Sequence, residues 1–220
     1  MYVFIKNTNS NQVAFPSWNY TQEVTNDSNP FGPETVWTCG SYTGSSFGVT
    51  GGPFAPFSVA NQIAQSDFGS GCATANPGGI LGIGSPNPPT SDNLPGCFYI
   101  ANSAGCTLTG GNDDSTYLHP GSDCQNAVVE FTAPYDGVYN IDGSFQNTDT
   151  SSTTGDVYLN GAPLGSPISF SSNNPGPSYF STTETLTTGD TLDFIVGCGT
   201  STYASDTTRI VVNIAFSGAK

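Results

Sequence analysis

From residue 126 to residue 217 the chain runs through six short segments, NAVVEFTAP, GVYNIDGSF, TGDVYLNG, SYFSTTETLTT, DTLDFIVGC and RIVVNIAFS. Within them apolar and polar residues trade places, as Val129 and Phe131 or Tyr139 and Ile141 do against polar or acidic neighbours. Period two is the signature of a strand with one buried face, and it is incompatible with the 3.6-residue repeat of a helix. Asp136-Gly137, Asn160-Gly161 and Gly189-Asp190 fall between the segments as turn residues, with Asn160-Gly161 the strongest hairpin signal. Six evenly spaced strands of this length predict a sandwich or jelly roll rather than a parallel α/β sheet.

The texture differs before about residue 115. Apolar residues there come in small groups, VAFPSWNY, TVWTCGSY, SFGVTGGPFAPFSV, GGILGIG and GCFYIANSAGC, which read as short strands tied by long connections. The stretch PNPPTSDNLPG from Pro86 is a loop, because its prolines remove backbone donors and fix φ. With 27 Gly, 16 Pro and a single Met, hardly any run can hold a helix, and the one candidate lies around Ser58 to Ser66. The expectation is an all-β chain, an antiparallel β-sandwich of jelly-roll type spanning 1–220 as a single domain. Within it, residues 1–115 are loop-rich and disulfide-tied, and residues 116–217 carry the regular strands.

Only Lys6, Arg209 and Lys220 oppose 17 acidic residues, for a formal net charge of −14. Polyanion binding depends on Lys and Arg neutralising phosphates, so nucleic acid and anionic membrane surfaces are poor partners, and neither nucleic-acid binding nor membrane insertion is expected. No run approaches the roughly 20 apolar residues of a membrane-spanning helix. Six cysteines, Cys39, Cys72, Cys97, Cys106, Cys124 and Cys198, form an even set without a CxxC pair, and His119 is the only histidine. Disulfides are therefore expected over zinc, which places the folded chain in an oxidising, extracellular setting. Of the 15 connectivities six cysteines allow, spacing favours Cys97 with Cys106 across a short loop and Cys124 with Cys198 between strands, leaving Cys39 with Cys72. The apolar stretch Tyr2–Ile5 is shorter than a signal-peptide core of about 7 to 15 residues, so export is expected by another route or after removal of a leader.

The run from Leu118 to Ile214, with LHPG, VVEFTAPYDGVYNIDGSF, DVYLNG, LTTGDTLDFIVGCG and Asp206-Thr207, resembles the β-sandwich domains of exported bacterial proteins, including those with PEP-CTERM sorting tails. Its order of strand, Pro-x-x-Gly-x-Tyr, Asn-Gly and Gly-Asp is also similar to the globular heads of complement and tumour necrosis factor type. Both resemblances imply a jelly roll.

Catalytic sets are sparse. Any Ser-His-Asp arrangement must run through His119, no GxSxG elbow frames a serine, and His119 precedes Pro120 in a turn where fixing a loop is its expected role. Carboxylate pairs for glycoside hydrolysis would draw on Asp113, Asp114, Glu130, Asp142 or Glu184. The chain is not expected to be an enzyme, and no cofactor is required. Calcium is the one metal its oxygen-rich turns suit, with Asp113, Asp114 and Asp206 as candidate ligands. Trp18, Trp37 and Tyr42 are candidate flat faces for sugar stacking, and core packing is the competing role for the same rings. Asn19 and Asn26 begin the sequons NYT and NDS.

The apolar strand Tyr2, Val3, Phe4 and Ile5 belongs either to its own sheet or to a neighbour's, where main-chain hydrogen bonds would supply the affinity. The sequence therefore predicts a non-catalytic extracellular structural or adhesive protein that can associate with itself, as a filament subunit using that strand. A carbohydrate-binding module, with glycans as partners, is the alternative.

Overall fold

A computed structural model describes residues 15–26, 36–42, 54–57, 80–84, 95–100, 115–121, 124–148, 152–170, 176–198 and 206–219. They form two facing antiparallel sheets. The first contains β1 (Ser17–Asn19), β4 (Ile80–Gly84), β5 (Gly96–Ile100), β6 (Ser115–His119), β8 (Gly137–Asn147), β12 (Ser178–Leu186) and β14 (Thr208–Gly218). The second contains β2 (Trp37–Tyr42), β3 (Phe54–Pro56), β7 (Asn126–Thr132), β9 (Thr153–Leu159), β10 (Ala162–Pro163), β11 (Ile168–Phe170) and β13 (Thr191–Gly197).

Strand order identifies the architecture. In the first sheet β6, β14, β8 and β12 lie side by side, and in the second β7, β13, β9 and β11 do. The chain passes from one sheet to the other at each step from β6 to β9, stays in the second sheet for β11, then alternates again through β14. This eight-strand weave is a jelly roll, as expected. The early strands widen it: β5 and β4 add beyond β6, β2 and β3 add beyond β7, and β1 pairs with the half of β14 that β6 leaves open.

The turns follow the sequence signals. Asn160 and Gly161 both take positive φ, 49° and 77°, and join Leu159 to its direct partner Ala162 in the two-residue hairpin that Asn-Gly favours. A short helix, α1 (Tyr20–Asn26), was not expected from the composition. Asn19 starts it by accepting the Gln22 amide at 2.8 Å, an N-cap that satisfies one of the free amides of so short a helix. Ser58 to Ser66, where the sequence placed its candidate helix, lies outside the described residues.

Aromatic rings fill the space between the sheets. Phe145 and Phe180 of the first sheet meet Phe170 and Phe194 of the second, with centroids 6.2 and 5.7 Å apart. Trp37 packs between Tyr20, Phe131 and Phe194. Such pairs combine a large buried area with favourable edge and offset geometries.

Two disulfides among the described residues fasten the frame. Cys124 bonds Cys198 at the ends of neighbouring strands β7 and β13, as the spacing predicted, with Cα atoms 5.4 Å apart. The expected Cys39–Cys72 and Cys97–Cys106 pairs are corrected: Cys39 of β2 bonds Cys97 of β5, Cα to Cα 6.2 Å. Both point inward from opposite sheets, so proximity across the core, rather than along the chain, selects the pair. Cys72 and Cys106 lie outside the described residues. Among those described, no helix is long and apolar enough to cross a membrane.

Candidate functional site

One end of the sandwich gathers aromatic rings at the surface. Phe15 precedes β1, Tyr135 sits in the Pro134-Tyr135-Asp136 turn between β7 and β8, and Phe216 lies near the end of β14. The pairing of β1 with β14 brings the first and last of these together, and the Phe216 amide donates to the Pro16 carbonyl at 3.0 Å. Phe216 then contacts both Phe15 and Tyr135, each at a centroid distance of 5.8 Å. Phe15 is 51% exposed and Tyr135 37%, so two of the three rings offer substantial area to solvent.

The patch is rigidly backed. Trp18 and Tyr139 stack at 6.0 Å behind it, and Tyr139 also meets Phe216 at 5.2 Å. The Tyr139 hydroxyl donates to the Tyr135 carbonyl at 2.7 Å and accepts the Tyr135 amide at 3.2 Å, which clamps the turn that carries Tyr135. A side chain at residue 137 would collide with the Phe216 ring, so the glycine there is what lets that ring lie flat beside the turn. β14 also shifts register between Phe216 and Gly218, an irregularity of the kind that re-aims side chains at sheet rims.

Polar groups flank the rings. Asp136 accepts the Thr188 amide and hydroxyl through Oδ1 at 2.7 and 2.8 Å, and these bonds lower its pKa. Asp190 accepts the Thr187 amide at 2.7 Å and the Asn160 side-chain amide at 3.0 Å, which lowers its pKa as well. Pro16, Tyr135, Asp136, Thr188, Phe216 and Ala219 enclose an open hollow of about 460 Å³. That is within the roughly 300 to 1,000 Å³ of small-ligand sites. Apolar faces beside fixed, ionised oxygens can stack a ring and accept hydrogen bonds from hydroxyl groups.

This patch is not the one the sequence nominated. Trp18, Trp37 and Tyr42 are all buried, which corrects their reading as stacking platforms: Trp18 and Trp37 take the core role, and Tyr42 belongs to a separate small cluster. Trp18 is turned inward by its β1 register onto Phe131 and Tyr139. Tyr42 lies on the outer face of the second sheet, beside Phe54, with its hydroxyl donated to Asp193 at 2.6 Å. Tyr135 did leave a signal, since a large aromatic inside a Pro-Tyr-Asp-Gly turn has no local reason to be there. Phe15 and Phe216 left none, because only the pairing of β1 with β14 joins them.

Of the candidate carboxylates, Glu130 meets a partner the sequence did not nominate, Asp193, directly across the β7–β13 ladder. Asp142 accepts from Asn213 at 3.0 Å and Glu184 from the Thr182 hydroxyl at 2.6 Å, both on the first sheet. His119 Nδ1 bonds the Pro120 carbonyl at 2.7 Å, a contact within its own turn. Asp206 is fully buried just before β14, while Asp113 and Asp114 lie outside the described residues, as do Tyr2, Val3, Phe4 and Ile5. Among the described residues no group of three or more His, Cys, Asp or Glu side chains could hold a metal ion.

No protein-family model matches the sequence, and no curated protein does. Solved structures with partial likeness include a family 35 carbohydrate-binding module from Clostridium thermocellum, at 15% identity over 49% of this chain and 83% of that one, with a TM-score of 0.35. Another is CBM51 from Clostridium perfringens GH95 in complex with methyl-galactose, at 14% identity over 52% and 83%, also with a TM-score of 0.35. A third is the PRD1 vertex protein P5, at 18% identity over 40% and 64%, with a TM-score of 0.30.

Proposed function

We propose that this chain is an exported, non-catalytic carbohydrate-binding protein, and that the end-of-sandwich patch of Phe15, Tyr135 and Phe216 is its sugar platform. The observation that carries the reading is the exposure of Phe15 and Tyr135 around Phe216, beside an ionised Asp136 held by Thr188. Sugars present an apolar face and a rim of hydroxyls, and an aromatic surface with fixed acceptors at its edge complements both. A formal charge of −14 turns the preference toward neutral glycans and away from sulfated or uronic ones. Two disulfides support an oxidising, extracellular location. An adhesive role at a surface or matrix is compatible with the same site.

The test is retention on immobilised neutral polysaccharides, with affinity measured by calorimetry against oligosaccharides of the retained type. Phe15→Ala with Tyr135→Ala should lower affinity at least tenfold while the melting temperature stays within a few degrees. Undiminished binding by the folded double variant would place any sugar site elsewhere, and failure of the wild-type chain to bind any neutral glycan would refute the reading.

A further inference from the structure

Beyond ligand binding, the geometry points to a self-association surface: we infer that β12 pairs antiparallel with β12 of a second copy of this chain, joining two first sheets edge to edge. β12 is a terminal strand hydrogen-bonded on one side only, to β8 along all nine of its residues. Among the described residues no strand or loop backbone bonds its other side.

Natural edges are blunted by lysine, proline, shortness or inward-pointing charge, since copies of the same chain are the partners an open edge meets most often. Two short edge strands of the second sheet show such devices, whereas the first sheet's other edge, β4, is five residues long and carries no proline, lysine or charge. β3 is three residues long and ends on Pro56, and β11 is three residues long. β12 has nine residues, no proline and no lysine, and Tyr179 on its outer face is 78% exposed. Its single charge, Glu184, points inward but is turned back on its own strand by the Thr182 hydroxyl at 2.6 Å.

A second copy is the occupant that satisfies this edge, because an identical strand brings an equal number of unpaired groups in the same phase. A two-fold axis at Ser181 sets Tyr179 opposite Thr183, Phe180 opposite Thr182, and Glu184 opposite Ser178 of the other copy. Aromatic and β-branched side chains face one another in that register, and no carboxylate opposes another. Beneath the edge, Val157, Leu164, Ile168 and Phe180 help line a narrow groove of about 70 Å³. It is too small for the roughly 300 Å³ or more of a ligand site, yet it is placed to take inward-facing side chains of the incoming strand. Such a contact is isologous and closes as a dimer. Two acidic chains can approach here because only one of the nine edge residues is charged.

Light scattering after size exclusion should give twice the 22.7 kDa mass of this chain. Ser181→Lys with Thr183→Lys, both at exposed positions, should shift it to the single-chain mass and weaken association at least tenfold, with melting temperature and glycan binding unchanged. Independently, Ser181→Cys should form an intermolecular disulfide at the two-fold axis under mild oxidation, because directly paired Cα atoms lie within disulfide reach. Thr185→Cys should not. A wild-type chain that stays at single-chain mass across the concentration range, a double-lysine variant that keeps the dimer, or equal cross-linking by both cysteines would each overturn the assignment.

Discussion

Glu130 and Asp193 stand directly opposite each other on β7 and β13, two carboxyl groups hydrogen-bonded on the outer face of the second sheet. Asp193 also accepts the Tyr42 hydroxyl at 2.6 Å, and a small cluster of Tyr42, Val128, Tyr158 and Ile195 surrounds the pair. Two like charges cannot both be held at this spacing away from water. Burial, followed by the Asp193 charge, raises the Glu130 pKa to about 7, so that at more acidic pH Glu130 holds a proton it can donate to Asp193. Burial raises that of Asp193 as well.

The pair should make stability depend on pH. Because the folded-state value for Glu130 lies above its ordinary 4.5, the contribution is complete below that value and is lost as pH rises through about 7. Other groups facing the pair are the Tyr42 and Tyr158 hydroxyls and the Asp156 carboxyl on β9, whose pKa burial also raises, so they act in the same direction. Thermal unfolding should give a lower melting temperature at about pH 8 than at about pH 5. Glu130→Gln, whose amide donates without titrating, should flatten that slope, and an unchanged slope would mean that the pair does not control it.

The disulfide between Cys39 and Cys97 closes a sequence separation of 58 residues between the two sheets. Replacing both with alanine should cost about 2 to 5 kcal/mol, on the loop-entropy scale for a separation of this size. Denaturant unfolding of the double variant is the measurement. A loss below about 1 kcal/mol would show that the aromatic core alone sets the position of β5 against β2.

Gly155 faces the Phe145 ring across the core, and an added Cβ would come within 2.6 Å of two of its atoms. Phe145 is itself wedged against Phe170 and Phe180, so the ring has no free direction to move. Gly155→Ala should therefore destabilise by about 1 to 3 kcal/mol, the usual cost of overpacking. Chemical denaturation that finds no loss would show that the two sheets can separate slightly at this point.

Tyr139 holds the Tyr135 turn through both directions of one hydroxyl. Tyr139→Phe should cost about 1 kcal/mol of stability. It should also weaken neutral-glycan binding several-fold in calorimetry, since Tyr135 would no longer be held. Stability lost with affinity intact would assign the hydroxyl to the fold alone.

Much of the scaffold is legible along the chain. Each of the six regular segments after residue 126 contributes a strand, Asn160-Gly161 forms its hairpin, and the groups TVWTCGSY and GCFYIANSAGC contain β2 and β5. α1 escapes a reading of the composition because it is only seven residues long, and the Asn19-x-x-Gln22 spacing is its local mark. The proposed sugar platform escapes for a different reason: its rings stand at positions 15, 135 and 216 and meet only in space.

The all-β character, the strand and turn positions and the acidic balance follow from the order of residues, because alternation, turn chemistry and charge act over a few residues or are simple sums. Other relationships exist only once the sheets have formed: Cys39 reaches Cys97, Trp18 and Trp37 serve the core, and Glu130 opposes Asp193. In the same way Phe15 and Phe216 become neighbours, and among the described residues β12 is bonded on one side only. These depend on which strand lies beside which, and in what register, over separations of up to about 200 residues. Local periodicity places a residue on a face of its strand, but only the packing of the two sheets settles what that face meets.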